Sequence, residues 1–224
     1  ARSNLIREGI DPATIHITGN PVVDSLKRIA ERDEPLPVDL PPSPRMILIT
    51  AHRRESLGIP LLRICQAISA LHRKHPDVEF LWPIHPNPSI RPIVQAEIGG
   101  LERVHLCDPL PYAQFVSAMK RSTLILTDSG GVQEEAPALG KPVLVLRPDS
   151  ERPEAISAGV ARIVGNHTRR IVADTSQLLQ NPEKYRAMAR GVSPYGDGLA
   201  AHRIVSILAK RFGHREARLA TSSC

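Results

Sequence analysis

The chain has 224 residues, is 42% hydrophobic but only 3% aromatic, and carries a net charge of +6. That is enough apolar material for a packed, aliphatic core. There are too few rings to stack nucleic-acid bases, and much of the positive excess sits in the tail "KRFGHREAR", so a nucleic-acid surface is not the reading. No run approaches the roughly 20 apolar residues of a membrane span. Cys65, Cys107 and Cys224 are an odd number without CxxC spacing, which argues against a disulfide framework or a zinc site and fits a reducing cytoplasm.

The chain does not begin with Met, and Ala1 to Gly9 reads as the middle of a helix, so part of a longer protein is expected before it. "EPLPVDLPPSP" (Glu34 to Pro44) carries five of the 21 prolines and reads as a stiff surface linker. Then apolar strand patterns alternate with helical ones. "RMILIT" (Arg45 to Thr50), "VEFLWPI" (Val78 to Ile84), "RVHLC" (Arg103 to Cys107), "STLILT" (Ser122 to Thr127), "PVLVLR" (Pro142 to Arg147) and "ARIVG" (Ala161 to Gly165) read as short buried strands. Leu61 to Lys74 is a helix with Leu61, Ile64, Ile68 and Leu71 on one stripe, and further helices are predicted over 111–120, 130–139, 153–158 and 168–180. A last helix runs from about Gly198 to Phe212, with Ala201, Ile204, Val205, Leu208 and Phe212 on one stripe, and the tail beyond Phe212 is expected to be disordered. Continuous apolar strands alternating with helices predict an α/β fold, a parallel sheet with helices on both faces. In such sheets ligands bind outside the carboxyl ends of the strands.

Four strand ends carry chemistry. After "LILT" comes Asp128-Ser129-Gly130-Gly131, then a helix. Glycines let the backbone approach a ligand, and a helix N-terminus suits phosphate. Ser129 can cap that helix or donate to the phosphate. Glu134 and Glu135 are adjacent and face different ways, so one can reach back to a ribose diol. An ordinary strand–turn–helix with a Ser cap and a solvated Glu pair fits the same residues. Pro137 means the helix is short or kinked. In "ITAHRRES", His52 follows the strand where side chains point into a cleft, whereas Arg53, Arg54 and Glu55 read as a solvated charge run. In "PIHPNPSIRP", His85 opens a loop stiffened by prolines. "RPDSERPE" offers Arg147 and Arg152 to a diphosphate. "YGDG" precedes the last helix, with Asp197 placed to cap it.

Taken together and in this order, "TGNPVVDSL", "TAHRRES", "HPNPSIRP", "LTDSGGVQEEAPALGKPVLVLR", "ERPEA" and "PYGDG" resemble the C-terminal half of the bacterial non-hydrolysing UDP-N-acetylglucosamine 2-epimerase family, over about residues 1 to 208. The resemblance implies the C-terminal half of a two-domain GT-B-type fold with Rossmann-like halves. It assigns 1–18 to the end of an N-terminal domain and a crossover, and 19–197 to a UDP-binding domain. Residues 198–212 become a helix crossing back towards the N-terminal domain, and 213–224 a tail. By resemblance His52 contacts the substrate phosphates or sugar, Ser129, Gly130 and Gly131 form the diphosphate turn, and Glu135 holds the ribose. Arg152 lies near the phosphates, Phe115 beside the uracil, and Arg54 and His85 are further candidates.

The implied activity interconverts UDP-N-acetylglucosamine and UDP-N-acetylmannosamine by eliminating and re-adding UDP, with the acid/base carboxylates in the N-terminal half. The implied setting is a cytoplasmic homodimer serving cell-surface polysaccharide synthesis, with no cofactor, metal, nucleic acid or membrane. Half of a UDP-sugar glycosyltransferase, a hydrolysing 2-epimerase and a non-catalytic UDP-sugar-binding module are the alternatives. "HRRE" and "HPNP" favour the epimerase over the glycosyltransferase.

Overall fold

A computed structural model describes residues 2–41 and 45–213. In chain order its elements are α1 (Arg2–Arg7), α2 (Pro21–Ala30), β1 (Arg45–Thr50), α3 (Ile59–Lys74), β2 (Val78–Pro83), α4 (Arg91–Ile98), β3 (Val104–Cys107), α5 (Tyr112–Arg121), β4 (Leu124–Thr127), α6 (Gly130–Glu135), β5 (Val143–Val145), α7 (Pro153–Ser157), β6 (Ala161–Ile163), α8 (Thr168–Gln180), α9 (Pro182–Met188) and α10 (Ala200–Phe212). The described residues divide into two compact units, one of residues 26–194 and one of residues 2–25 with 195–213.

The larger unit is built on a six-stranded, all-parallel sheet in the order β3-β2-β1-β4-β5-β6. Each strand is short and apolar because both of its sides are covered. Ile47, Ile49, Phe80, Trp82, Leu124 and Leu126 join the cluster under α3, α4 and α8, and the alternate residues Met46, Leu48, Leu81 and Ile125 are equally buried. Burying each such side chain contributes about 1.5–3 kcal/mol. The sheet is Rossmann-like, as expected, and its order reverses between β1 and β4. That topological switch point is where an open parallel sheet leaves a crevice.

All six strands lie where the apolar runs put them, most trimmed at their ends. Ser122 and Thr123 precede β4 and Pro142 precedes β5, although the Thr123 N–H still donates to the Met46 carbonyl of β1 (2.7 Å) and the Pro142 carbonyl still accepts from the Ile125 N–H of β4 (2.9 Å). The helical pattern over 130–139 splits. α6 ends at Glu135, and Ala136–Leu139 continues as a 3-10 turn with Pro137 inside it and Gly140 left-handed at its end (φ 69°). Three helices that the strand–helix reading omits, α2, α4 and α9, begin with or just before a proline: Pro21, Pro92 and Pro182. Proline at the first helical positions lacks only an N–H that the helix leaves unpaired anyway.

In the smaller unit the expected cap of α10 is corrected. The N-cap position is Leu199, not Asp197. The free N–H groups of Ala200 and Ala201 donate instead to Asp24 of α2, at 3.2 and 2.9 Å. Asp197 accepts a two-pronged bond from Arg203 (2.7 and 2.6 Å), which pulls its pKa well down. Gly19 and Gly196 have positive φ (91° and 143°), and a Cβ on Gly19 would lie 3.3 Å from the Gly196 Cα. The apolar stripe of α10 is largely open, with Val205, Leu208 and Phe212 56%, 47% and 67% exposed. The expectation of a disordered tail concerns residues that, beyond Gly213, lie outside the described ones.

Candidate functional site

The carboxyl ends of the strands surround a cavity of about 280 Å³ within the larger unit. Four strand ends supply its wall through the loop or helix that follows each: His52 after β1, His85 after β2, Leu110, Tyr112 and Phe115 after β3, and Ser129, Gly131, Val132 and Glu135 after β4. Of the sequence-derived candidates, His52, His85, Phe115, Ser129, Gly131 and Glu135 line this one space. Gly130 is buried at its edge, with Arg152 beside it.

The two loops at the switch point are tied together by Asp128. Its Oδ2 accepts from the backbone N–H of His52 and of Arg53 and from the Ser56 hydroxyl, each at 2.8 Å. Below it, Thr50 and Thr127 share a buried hydroxyl contact of 2.5 Å, and Thr127 Oγ1 accepts from the Ser129 N–H. With the Ser129 N–H so engaged, the first N–H groups of α6 are those without an intrahelical acceptor. Ser129 occupies the N-cap position, but its hydroxyl makes no capping bond, so that alternative is not realised and the hydroxyl belongs to the cavity wall.

Neither turn glycine is required by the fold. Gly130 and Gly131 both lie outside the positive-φ region. A Cβ on Gly130 would meet Arg152 Nη2 at 3.5 Å and Arg53 Nη2 at 3.8 Å, and one on Gly131 would meet Glu135 Oε1 at 3.7 Å, all ordinary contact distances. Two guanidinium groups thus converge over a bare stretch of backbone. One of them is Arg53, which the sequence reading leaves in a solvated charge run, whereas Arg54 is exposed and lines none of the cavity.

The adjacent glutamates do part company. Glu134 pairs with Arg152 and holds it over the turn. Glu135 turns to the cavity and accepts from the Tyr112 hydroxyl at 2.8 Å. Burial pushes the pKa of Glu135 up, the Tyr112 bond opposing and Glu134 adding to the rise. Arg147 lines none of the cavity. Its side chain is 10% exposed and already meets Glu55, Asp149 and Glu151 at 3.2–3.6 Å. His52 and His85 stack, with ring centroids 5.3 Å apart. The pKa of His52 is lowered, chiefly by burial; Asp128 acts against this, and His85 and Arg53 add to it.

The profile of the family described as UDP-N-acetylglucosamine 2-epimerase matches residues 1–209. The chain belongs to that family. It is 44% identical over 220 residues to UDP-N-acetylglucosamine 2-epimerase of Escherichia coli K12, covering 93% of this chain and 58% of the relative. A crystal structure of a putative UDP-N-acetylglucosamine 2-epimerase from Listeria monocytogenes superposes with a TM-score of 0.88 at 42% identity, over 96% of this chain and 58% of that one. The Neisseria meningitidis UDP-GlcNAc 2-epimerase, solved with UDP-GlcNAc bound, gives 0.84 at 41% identity, over 93% of this chain and 59% of that one. The epimerase-family chain therefore spans a little under three-fifths of the length of these relatives. Among the described residues no helix is long and apolar enough to cross a membrane, and no cluster of three or more metal-ligating side chains occurs.

Proposed function

We propose that this chain is the UDP-holding part of a UDP-N-acetylglucosamine 2-epimerase, which interconverts UDP-N-acetylglucosamine and UDP-N-acetylmannosamine. The observation that carries the reading is the bare turn. Gly130 and Gly131 are glycine where neither backbone angle nor packing asks for it, and Arg152 and Arg53 converge on that spot. A diphosphate explains both: it needs close backbone N–H donors and cationic side chains. The relative crystallised with UDP-GlcNAc supports the choice of ligand.

In this reading the diphosphate lies on Ser129, Gly130 and Gly131 under Arg152 and Arg53, and Glu135, steadied by Tyr112, accepts the ribose hydroxyls. Phe115 and Leu110 flank the uracil, and His52 faces the phosphates from the β1 side, with His85 stacked behind it. The reaction breaks the C2–H and C1–O bonds of the sugar, so that UDP leaves with its electron pair and a glycal remains. UDP then re-adds at C1, and a proton returns to C2 on the opposite face. Positive charge at the turn stabilises the departing diphosphate. Among the described residues lining the cavity the carboxylate is Glu135, which Tyr112 engages, so we assign the base and acid at C2 to the remainder of the protein.

The same reading gives the open stripe of α10 to the remainder of the protein and makes the whole protein a cytoplasmic homodimer serving cell-surface polysaccharide synthesis. Burial pushes the thiols of Cys65 and Cys107 up to about 12 and about 11, which suits unreactive structural cysteines. Calorimetric titration with UDP tests the proposal. A Kd of roughly 0.1–1 mM is expected, because a cavity open on one side buries less ligand than a closed pocket. No heat well above that range, or equal affinity for uridine without its phosphates, contradicts it.

A further inference from the structure

The proposed function gives Asp128 no ligand to touch, yet its carboxylate is completely buried at the meeting point of the β1 and β4 loops. Its two oxygens are used unequally. Oδ2 takes all three donors of the β1 loop: the His52 and Arg53 N–H groups and the Ser56 hydroxyl. Oδ1 is equally enclosed, has no aligned hydrogen-bond donor, and lies 3.2 Å from His52 Nδ1. A buried carboxylate oxygen without a donor is costly, and the imidazole is the group within reach.

The remaining surroundings of His52 are mixed in charge. The His85 ring stacks on it from the β2 side, and Arg53 and Glu55 flank it on its own loop. His85 accepts the Asn87 N–H at its own Nδ1 (3.2 Å), which places the His85 proton on Nε2 and leaves Asp128 as the partner for His52. Burial keeps His52 predominantly neutral at neutral pH, so what matters is which ring nitrogen bears the single proton.

We infer that Asp128 is a positioning residue that holds His52 as the Nδ1–H tautomer, leaving Nε2 as the nitrogen open to a ligand. The 3.2 Å approach of Nδ1 to Oδ1 is already within hydrogen-bonding distance and lacks only alignment. Nε2 then takes a proton from solvent when an anion arrives and donates it as a charged hydrogen bond. That last purpose rests on the proposed function; the tautomer itself does not.

The geometry also says what Asp128→Asn does. The three donors on Oδ2 require an acceptor, so the amide oxygen takes that place and the NH2 group faces His52 Nδ1. Two N–H groups cannot point at each other, so the imidazole proton moves to Nε2 while the loop stays tied.

Long-range proton–nitrogen NMR correlation on the chain with labelled histidine, recorded above the titration range, reads the tautomer directly. His105, whose Nε2 lies 2.7 Å from Glu79, is the internal reference for the opposite tautomer. The expected result is Nδ1–H for wild-type His52 and Nε2–H in Asp128→Asn, with the His105 signals unmoved. Nε2–H in the wild type overturns the inference, and so does Nδ1–H persisting in the variant. If the variant loses the His105 reference signals, it has unfolded and the wild-type spectrum decides alone. Adding UDP separates the two claims: Nδ1–H with His52 signals that ignore saturating UDP supports the role of Asp128 and contradicts the proposed function.

Discussion

Replacing Gly130 with Ala adds one methyl group at a position where the fold has room for it. The new Cβ lies 3.5 Å from Arg152 Nη2, 3.6 Å from its Cζ and 3.8 Å from Arg53 Nη2, with no backbone atom among these contacts, and Gly130 has no positive φ to lose. Position 130 is the first residue of α6, so reducing the freedom of the unfolded chain should stabilise the domain by about 0.4–1 kcal/mol. For a chain of this size that is about 1–4 °C in Tm. The same methyl group stands between the two guanidinium groups and the backbone, where the diphosphate is placed. Losing one or two charge-assisted hydrogen bonds costs about 1.5–3 kcal/mol each, or at least roughly tenfold in UDP affinity. Stability and binding therefore move in opposite directions, which neither a damaged fold nor a neutral surface change can imitate. Thermal unfolding and calorimetry on the same sample read both. A lower Tm would show that the fold needs this glycine, and unchanged UDP affinity would show that no diphosphate lies on it.

Glu135→Ala should weaken UDP by about 1.5–3 kcal/mol but 2′,3′-dideoxy-UDP much less, by calorimetry, because the lost bonds are those to the ribose hydroxyls; equal losses would make Glu135 structural. The pKa of His52 is depressed in the free chain and should rise beside a diphosphate, so binding takes up a proton. Affinity for UDP-N-acetylglucosamine, whose doubly esterified diphosphate keeps its charge, should strengthen as pH falls from about 8 to about 6, and His52→Gln should flatten the profile. Without ligand the sign reverses: the depressed pKa contributes stability that is present above the unfolded value of 6.5 and is lost as pH falls below it, visible as a lower Tm in acid. Asp24→Ala removes the acceptor for the Ala200 and Ala201 N–H groups and should cost about 0.5–2 kcal/mol in thermal unfolding.

The strands were legible because each is an apolar run buried on both sides, so hydropathy alone marks Arg45 to Thr50 to the residue. α2, α4 and α9 were not, because Pro21, Pro92 and Pro182 look like breakers when they are helix starts. The site divides in the same way. The loops at the strand ends follow from the alternation of elements, and His52, Ser129, Gly131 and Glu135 do line one cavity. What one sequence does not reveal is pairing across distance. Asp128 reads as a turn residue, and its grip on His52, Arg53 and Ser56 spans more than 70 positions. Arg53 and Arg54 are neighbours of the same type, and only the path of the loop sends Arg53 to the glycine turn. Arg147 sits as well placed in sequence as Arg152, but three carboxylates hold it.

Amide chemical-shift mapping during a UDP titration asks the whole chain at once where the nucleotide lies. If the nucleotide lies on the glycine turn, saturable shifts concentrate at Ser129 to Val132, His52, Arg53, Phe115 and the backbone around Glu135, and the N–H signals of Gly130 and Gly131 move furthest. Saturable shifts confined to other residues, with the two glycine amides still, would contradict that placement.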